Sequence, residues 1–540
     1  MFVLAALTPL IAVFGLLVVL RLPAARAMPL ALVMTAAVAY LVWQVPARRI
    51  AAASLEGLLI AASILWIVFG AIFLLNVLRQ SGALTAIRDG FSHVTPDSAA
   101  QVILIAWLFG AFLEGAAGFG TPAAIIAPLL VALGHTPMAA VVLALVADSS
   151  PVSYGAIGTP VVIGLAQGLQ PGGVPAPGLA EALGGGSLEA FIASVAVRAS
   201  LFDLFIGSAV PLVLLVILGR FVRPRAPWWH GLRAWRFALV AGLAFTLPAL
   251  AVAWAFGPEF PSLIGALIGL AIMVPVARKG WLLPDTGASG AKGETAQDEP
   301  AMALWRAWSP YVLLALVLVL TRLDALPLKA WLQDVTVSWG DILGTGIAVA
   351  IAPLYSPAAS FVAVALAGIA LFGMRPAQIR GALREGIRPV IGSALALGAS
   401  VATVRVFLQT DVNAADLPSM PMELAIVAAD AAGATWPIFA PLVGAIGAFL
   451  SGSATFSNMM FALFQFSAAE RAEVSAHSVL AAQMLGANAG NMVSVVNVVA
   501  AAAVVGLIGR EGQVIRHTLA PMLAYALLAG FIAWMATDPL

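Results

Sequence analysis

The sequence predicts an all-α polytopic membrane protein of about twelve transmembrane helices plus two re-entrant hairpins in inverted repeats. Three observations carry that expectation. Hydrophobic residues fill 62% of the 540 positions and charged residues only 9%, against roughly a quarter charged in soluble domains. Apolar runs long enough, or nearly so, to cross ~30 Å of hydrocarbon as helices recur from end to end. Finally, residues 447–459 (GAFLSGSATFSNM) repeat residues 110–122 (GAFLEGAAGFGTP), with GAFL, the next glycine and a phenylalanine in register. A barrel would show short alternating segments, whereas these runs are continuous and rich in Leu, Ala, Val and Ile.

In chain order the spans fall at 2–20, 28–45, 56–78, 137–165, 191–219, 237–256, 260–277, 303–320, 341–373, 389–408, 478–508 and 519–536. The run 2–20 lacks the positive n-region of a signal peptide and reads as a retained span. Two further apolar stretches, 101–134 and 436–466, break at the repeated motif and read as hairpins that enter and leave on one side. Three regions follow: an N-terminal repeat at 1–220, connecting spans and a linker at 221–302, and a C-terminal repeat at 303–540. Within the second, residues 279–299 are polar, glycine-rich and without apolar period, and read as a disordered cytoplasmic linker.

Arginine sets the orientation. Arg220, Arg223, Arg225, Arg233 and Arg236 mark one cytoplasmic loop, and Arg375, Arg380, Arg384 and Arg388 another. Segments 166–190 and 409–420 have no Lys or Arg and should face outward. Counting spans from these anchors opens the first hairpin toward the cytoplasm and the second toward the outside, with both termini outside. The count depends on 341–373 holding one span.

Composition also excludes. A formal net charge of +1 with no basic domain offers nothing to nucleic acid, and the absence of cysteine removes disulfides and thiol chemistry. His93, His135, His230, His477 and His517 fall in loops or at span ends, so no metal cluster assembles. No catalytic set, P-loop or cofactor motif stands out, so the lipid-embedded chain reads as a transporter and not an enzyme.

Lipid tolerates irregular backbone only where protein or a cavity covers it, so interruptions in corresponding halves point to a substrate site between repeats. In the first hairpin, Glu114 precedes Gly115, Gly118 and Gly120, and Thr121-Pro122 follows as a helix start. Ser150-Pro151 and Thr159-Pro160 repeat that grammar, with Ser153 between them. A helix that begins in mid-membrane presents unpaired amides to an anion. The second half supplies Ser451, Gly452, Ser453, Thr455, Ser457 and Asn458 in its hairpin, then Asn488 and Asn491 in its broken span. Small residues also serve close helix packing, but that does not account for one motif in two halves, each followed by a broken span. Glu114 and Asp148 are the deepest carboxyls; a charge there is costly, which makes each a candidate proton carrier. Arg405, near the outer end of its span, is a candidate anion partner, or else snorkels to the interface.

At these residues the chain resembles the bacterial L-lactate permease family. The likeness rests on residues 109–122, PVSYGAIGTP at 151–160, GAFLSGSATFSN at 447–458 and AAAVVGLIGRE at 501–511, and in weaker form covers most of the chain. The resemblance implies an inner-membrane symporter of lactate, glycolate or similar short 2-hydroxy acids with protons, and related inverted-repeat carriers suggest a homodimer. Ala454 and Asn491 stand where the family usually has aspartate and often lysine, and Asp148 where it tends to have asparagine. Either the acid and base have moved, or the substrate or coupling ion has changed; a carrier of another small organic anion or a sodium-coupled carrier is the alternative. A proton-channel subunit of a respiratory complex is more remote, because Lys279, Lys292 and Lys329 all fall in loops.

Overall fold

The same punctuation starts helix after helix along the chain. In the computed structural model, which describes residues 2–20, 22–92, 94–118, 120–176, 178–222, 227–284, 302–322 and 326–536, a hydroxyl or proline at the first turn is the usual opening. The helices are α1 (Ala24–Leu41), α2 (Ala47–Gln80), α3 (Ser98–Ala117), α4 (Thr121–Ala132), α5 (Pro137–Ala147) and α6 (160–169). After them come α7 (Leu188–Val222), α8 (Trp235–Phe256), α9 (Pro261–Arg278) and α10 (Leu304–Arg322). Strands β1 (Val337–Trp339) and β2 (Val349–Ile351) pair antiparallel, with Ser338 opposite Ala350. The chain finishes with α11 (Pro357–Phe372), α12 (Pro376–Leu408), α13 (Met420–Ala432), α14 (Trp436–Ser451), α15 (Ala454–Arg471), α16 (Ala476–Asn491), α17 (Val495–Ala503) and α18 (Glu511–Met535). Thr136 caps α5 through the Ala139 amide, Ser419 caps α13 and Ser475 caps α16, each satisfying an amide that the helix itself leaves open.

Among the described residues, twelve helices are long and apolar enough to cross a membrane, but they are not the twelve expected. Residues 2–20 form two short helices and a π-helical stretch, with Pro9 at the start of the second. Residues 341–373 yield β2 and the 16-residue α11, because Pro353 and Pro357 delay the helix. In their place, Ser98–Ala117 and Met420–Ser451 meet the length and hydropathy criterion. The expected linker at 279–299 lies outside the described residues from 285 onward, as do His93, Phe119, Arg223 and Arg225.

Glycine sets how closely the helices pack. A Cβ at Gly57 would strike the backbone of Ala402 where α2 and α12 cross, and Cβ atoms at Gly486 and Gly490 would strike Pro441 and Ala445 where α16 crosses α14. Such contacts let backbones approach where no hydrophobic force drives helices together in lipid.

The two ends of the bundle are distinct. Val94, at the base of the α3/α4 pair, lines one cleft with Arg278 and Leu304. At the far ends of α9 and α10, Glu259 pairs with Arg322, and both line a cleft with Glu189 and Lys329. At the base of the α14/α15 pair, Glu470 packs on Gly178 and Arg198 donates to Ser475 and Ser478. The two helix–break–helix pairs are thus anchored at different contacts of the bundle.

Candidate functional site

The repeated motif breaks its helix in both copies, but not at equivalent positions. In the first copy α3 runs through Gly115 and ends at Gly118, whose φ of 61° and ψ of −159° only glycine adopts readily; Gly120 is left-handed at the start of α4. At the matching positions the second copy carries Thr455 and Ser457, which resist that backbone. Its break instead falls on Gly452, left-handed at φ 75°, and on Ser453, extended and capping the Phe456 amide. Gly115 stays helical because it packs on Ser262 and Leu263 with no room for a Cβ. Thr455, Ser457 and Asn458 likewise belong to the start of α15 and not to a loop.

A narrow cavity of ≈ 20 Å³ joins the two breaks, enough for about one water. Glu114 and Gly120 line it from the first pair, and Gly452, Ser453, Ala454 and Thr455 from the second. Gly155, Ala156, Thr159 and Pro160 close it from the turn between α5 and α6, and Asn491 from the end of α16. That turn carries three successive left-handed residues, Ala156, Ile157 and Gly158, a costly conformation for the first two. Gly118 presses directly against Ala156.

Asp148 and Asn491 end the first halves of the two broken spans and meet. Asn491 donates to the Asp148 carbonyl at 3.1 Å and to its carboxylate at 3.2 Å, while Asn497 donates to the Asn491 oxygen at 2.5 Å. Ser153 and Asn488 exchange hydrogen bonds at 3.1 and 2.8 Å. Ser150 donates to Asp203 at 2.9 Å, and Tyr525 donates to the same oxygen at 2.5 Å. Glu114 Oε2 and Asp148 Oδ1 are buried and find no protein partner.

Other expected site residues hold the frame. Ser451 bonds back to the Gly447 carbonyl, Ser457 donates to the Gly444 carbonyl, and Asn458 donates to the Pro160 carbonyl across to α6. Thr121 opens α4, its amide on the Gly118 carbonyl. Arg405 neither lines the cavity nor snorkels. Its side chain is fully buried, paired with Glu56 and bonded to the Gln167 and Gln170 carbonyls at the end of α6. Its terminal nitrogens are taken by these partners while Nε stays without one, and the residue does not line the cavity.

Two buried glutamines carry no sequence motif. Gln465 links Trp436 to Gln483 at 2.9 Å on each side, and Gln483 continues to Ser457, tying α14, α15 and α16 together. Asn497 faces Gly120. Glutamines inside apolar runs were the available signal, because buried amides in lipid need partners.

A membrane-crossing helical bundle whose two halves each bring a broken helix pair to one buried polar cavity defines a multi-pass membrane protein of the transport class. The chain belongs to the L-lactate permease family, which matches residues 2–538. It is similar to a Haemophilus influenzae relative at 32% identity over 487 residues, covering 86% of this chain and 85% of that one. Glycolate permease GlcA of Escherichia coli is 29% identical over 569 residues, 98% of this chain and 94% of its own. The L-lactate permease of Salmonella typhimurium is 29% identical over 562 residues, 97% and 94% respectively.

Proposed function

We propose that this protein imports L-lactate or a similar short 2-hydroxymonocarboxylate such as glycolate, in symport with protons, across a bacterial inner membrane. The observation that carries the reading is the cavity between the two helix breaks, where Glu114 keeps a buried oxygen without a protein partner; Asp148, likewise with an unpartnered oxygen, sits behind the lining residue Asn491. The names of the relatives supply the substrate class. An anion entering a negative-inside cell works against ~2.3 kcal/mol per 100 mV, and a co-transported proton cancels that term.

In this reading both helix pairs are re-entrant and the repeats inverted. The uncapped start of α4 at Gly120, the Gly452–Ser453 break and the Asn491 amide hold the carboxylate and hydroxyl, and Glu114 or Asp148 carries the proton. A cavity of ≈ 20 Å³ is too small for a three-carbon acid, so loading requires the tips to part. Movement of the part bearing α3 to α6 and α14 to α17 then alternates access.

A second reading keeps the carrier and changes the cargo. Ala454 and Asn491 both line the cavity, so the substitutions that distinguish this chain from the family pattern lie at the site itself, which favours another small organic anion or sodium coupling. Proteoliposome uptake of labelled lactate, glycolate and succinate, with pH and sodium gradients imposed separately, tests both. Lactate or glycolate accumulation under a pH gradient alone is the expected result. Accumulation of succinate only, or under a sodium gradient only, would replace the first reading by the second.

A further inference from the structure

A groove of ≈ 680 Å³ runs between α5, α7 and α18, away from the cavity just described. Its walls are apolar, with Val210, Val213 and Ile217 on α7 facing Leu528 on α18. Ile206 and Arg220, both lining it, lie fourteen residues apart on α7, about 21 Å of helix. One leaflet's hydrocarbon is ~15 Å thick, so the groove has the length of an acyl chain standing in one leaflet.

Its mouth is cationic. Arg220, Arg516 and His517 line that end, and His517 packs on Phe221 at 5.3 Å between ring centroids. Neither arginine has an acidic partner among the described residues. Glu511, the nearest acid in sequence on α18, instead accepts from the Gly509 amide. Two guanidinium groups without an acidic partner among the described residues, at the end of a membrane-length apolar groove, match the phosphate and tail of one molecule.

We propose that this groove binds an anionic phospholipid, its phosphate on Arg220 and Arg516 and one acyl chain along α7 and α18. The inner wall includes Val142 and Val146 of α5 and Met492 beside the break after α16. The lipid tail would thus press on both broken spans, which makes its occupancy a means of setting how easily they move.

The test uses the full-length protein in mild detergent, extracted with excess phosphatidylglycerol and phosphatidylcholine, with retained lipid counted by native mass spectrometry. Wild type should retain one phosphatidylglycerol in preference to phosphatidylcholine by roughly tenfold or more, since each surface arginine contributes ~1 kcal/mol toward anionic lipid. The double variant Arg220→Ala/Arg516→Ala should lose the preference. Ala524→Trp, which fills the groove from an exposed position, should lose the bound lipid while keeping both arginines. Retention unchanged in both variants, or no preference in wild type, would overturn the proposal. So would a wild-type dimer that Ala524→Trp dissociates, because a second copy would then occupy the groove.

Discussion

Asn491 reaches Asp148 across 343 positions of sequence and donates to both its carbonyl and its carboxylate. Each residue stands where the first half of a broken span stops, Asp148 after α5 and Asn491 at the end of α16. The two interruptions are thus one structural object. An acid on one side and a neutral amide on the other leave a single ionisable group at the junction.

If either Glu114, at the cavity, or Asp148, behind Asn491, carries the coupling proton, its amide isostere should uncouple transport without emptying the site. Glu114→Gln and Asp148→Asn keep size and hydrogen-bonding capacity while removing the titration. In the true carrier position, the change abolishes lactate uptake driven by a pH gradient and spares counterflow exchange. Uptake and exchange both intact in each variant would remove the two residues from coupling.

Gly155 tests the shape of the same cavity. Its φ of −64° and ψ of 150° suit alanine, so Gly155→Ala introduces no backbone strain, yet the added methyl would run into the Glu114 carboxyl. Overpacking of this kind costs roughly 1–3 kcal/mol. The penalty should appear as a modestly lower melting temperature in detergent together with slower uptake or a higher KM.

Arg405 and Glu56 predict a stability effect instead. Arg405→Ala leaves Glu56 buried beside the Gly172 amide and Gln409 with no cation, and an uncompensated buried charge costs ~3–5 kcal/mol. The apparent melting temperature should fall sharply, and less so in the double variant Glu56→Gln/Arg405→Gln. Equal losses in the single and double variants would show that the pairing itself contributes nothing.

Glu259, in the loop between α8 and α9, predicts a pH effect. Burial pushes its carboxyl above the ordinary value of 4.5, against the opposing pull of Arg322 at 2.9 Å. A raised acid binds its proton more tightly folded than unfolded, so its contribution to stability is greatest below the ordinary value and declines as pH rises through the raised one. Thermal stability should therefore improve on acidification from neutral toward pH ~5, close to where a free glutamate titrates. Glu259→Gln should flatten that slope, and Arg322→Met should steepen it.

The helical, membrane-embedded character was legible because composition and run length report it directly. So was the convergence of Gly120, Gly452, Ser453 and Asn491, because an interruption inside an apolar run must be covered. What sequence could not place was the exact residue of each break, since GAFL aligns the two copies while the backbone turns where glycine permits. The pairing of Arg405 was illegible for a different reason. Its partner Glu56 lies 349 positions away, and no local pattern announces such a pairing.

The staggered interruptions give the two halves unequal arms. The first pair descends through 20 residues and returns through 12, whereas the second descends through 16 and returns through 18. Exact duplicates facing opposite ways would make a carrier whose inward and outward forms are related by a two-fold rotation and equal in energy. In the carrier proposed above, arms so unequal would lift that degeneracy, and the expected outcome is that half-saturation for influx differs from that for efflux, measured in proteoliposomes with no gradient imposed.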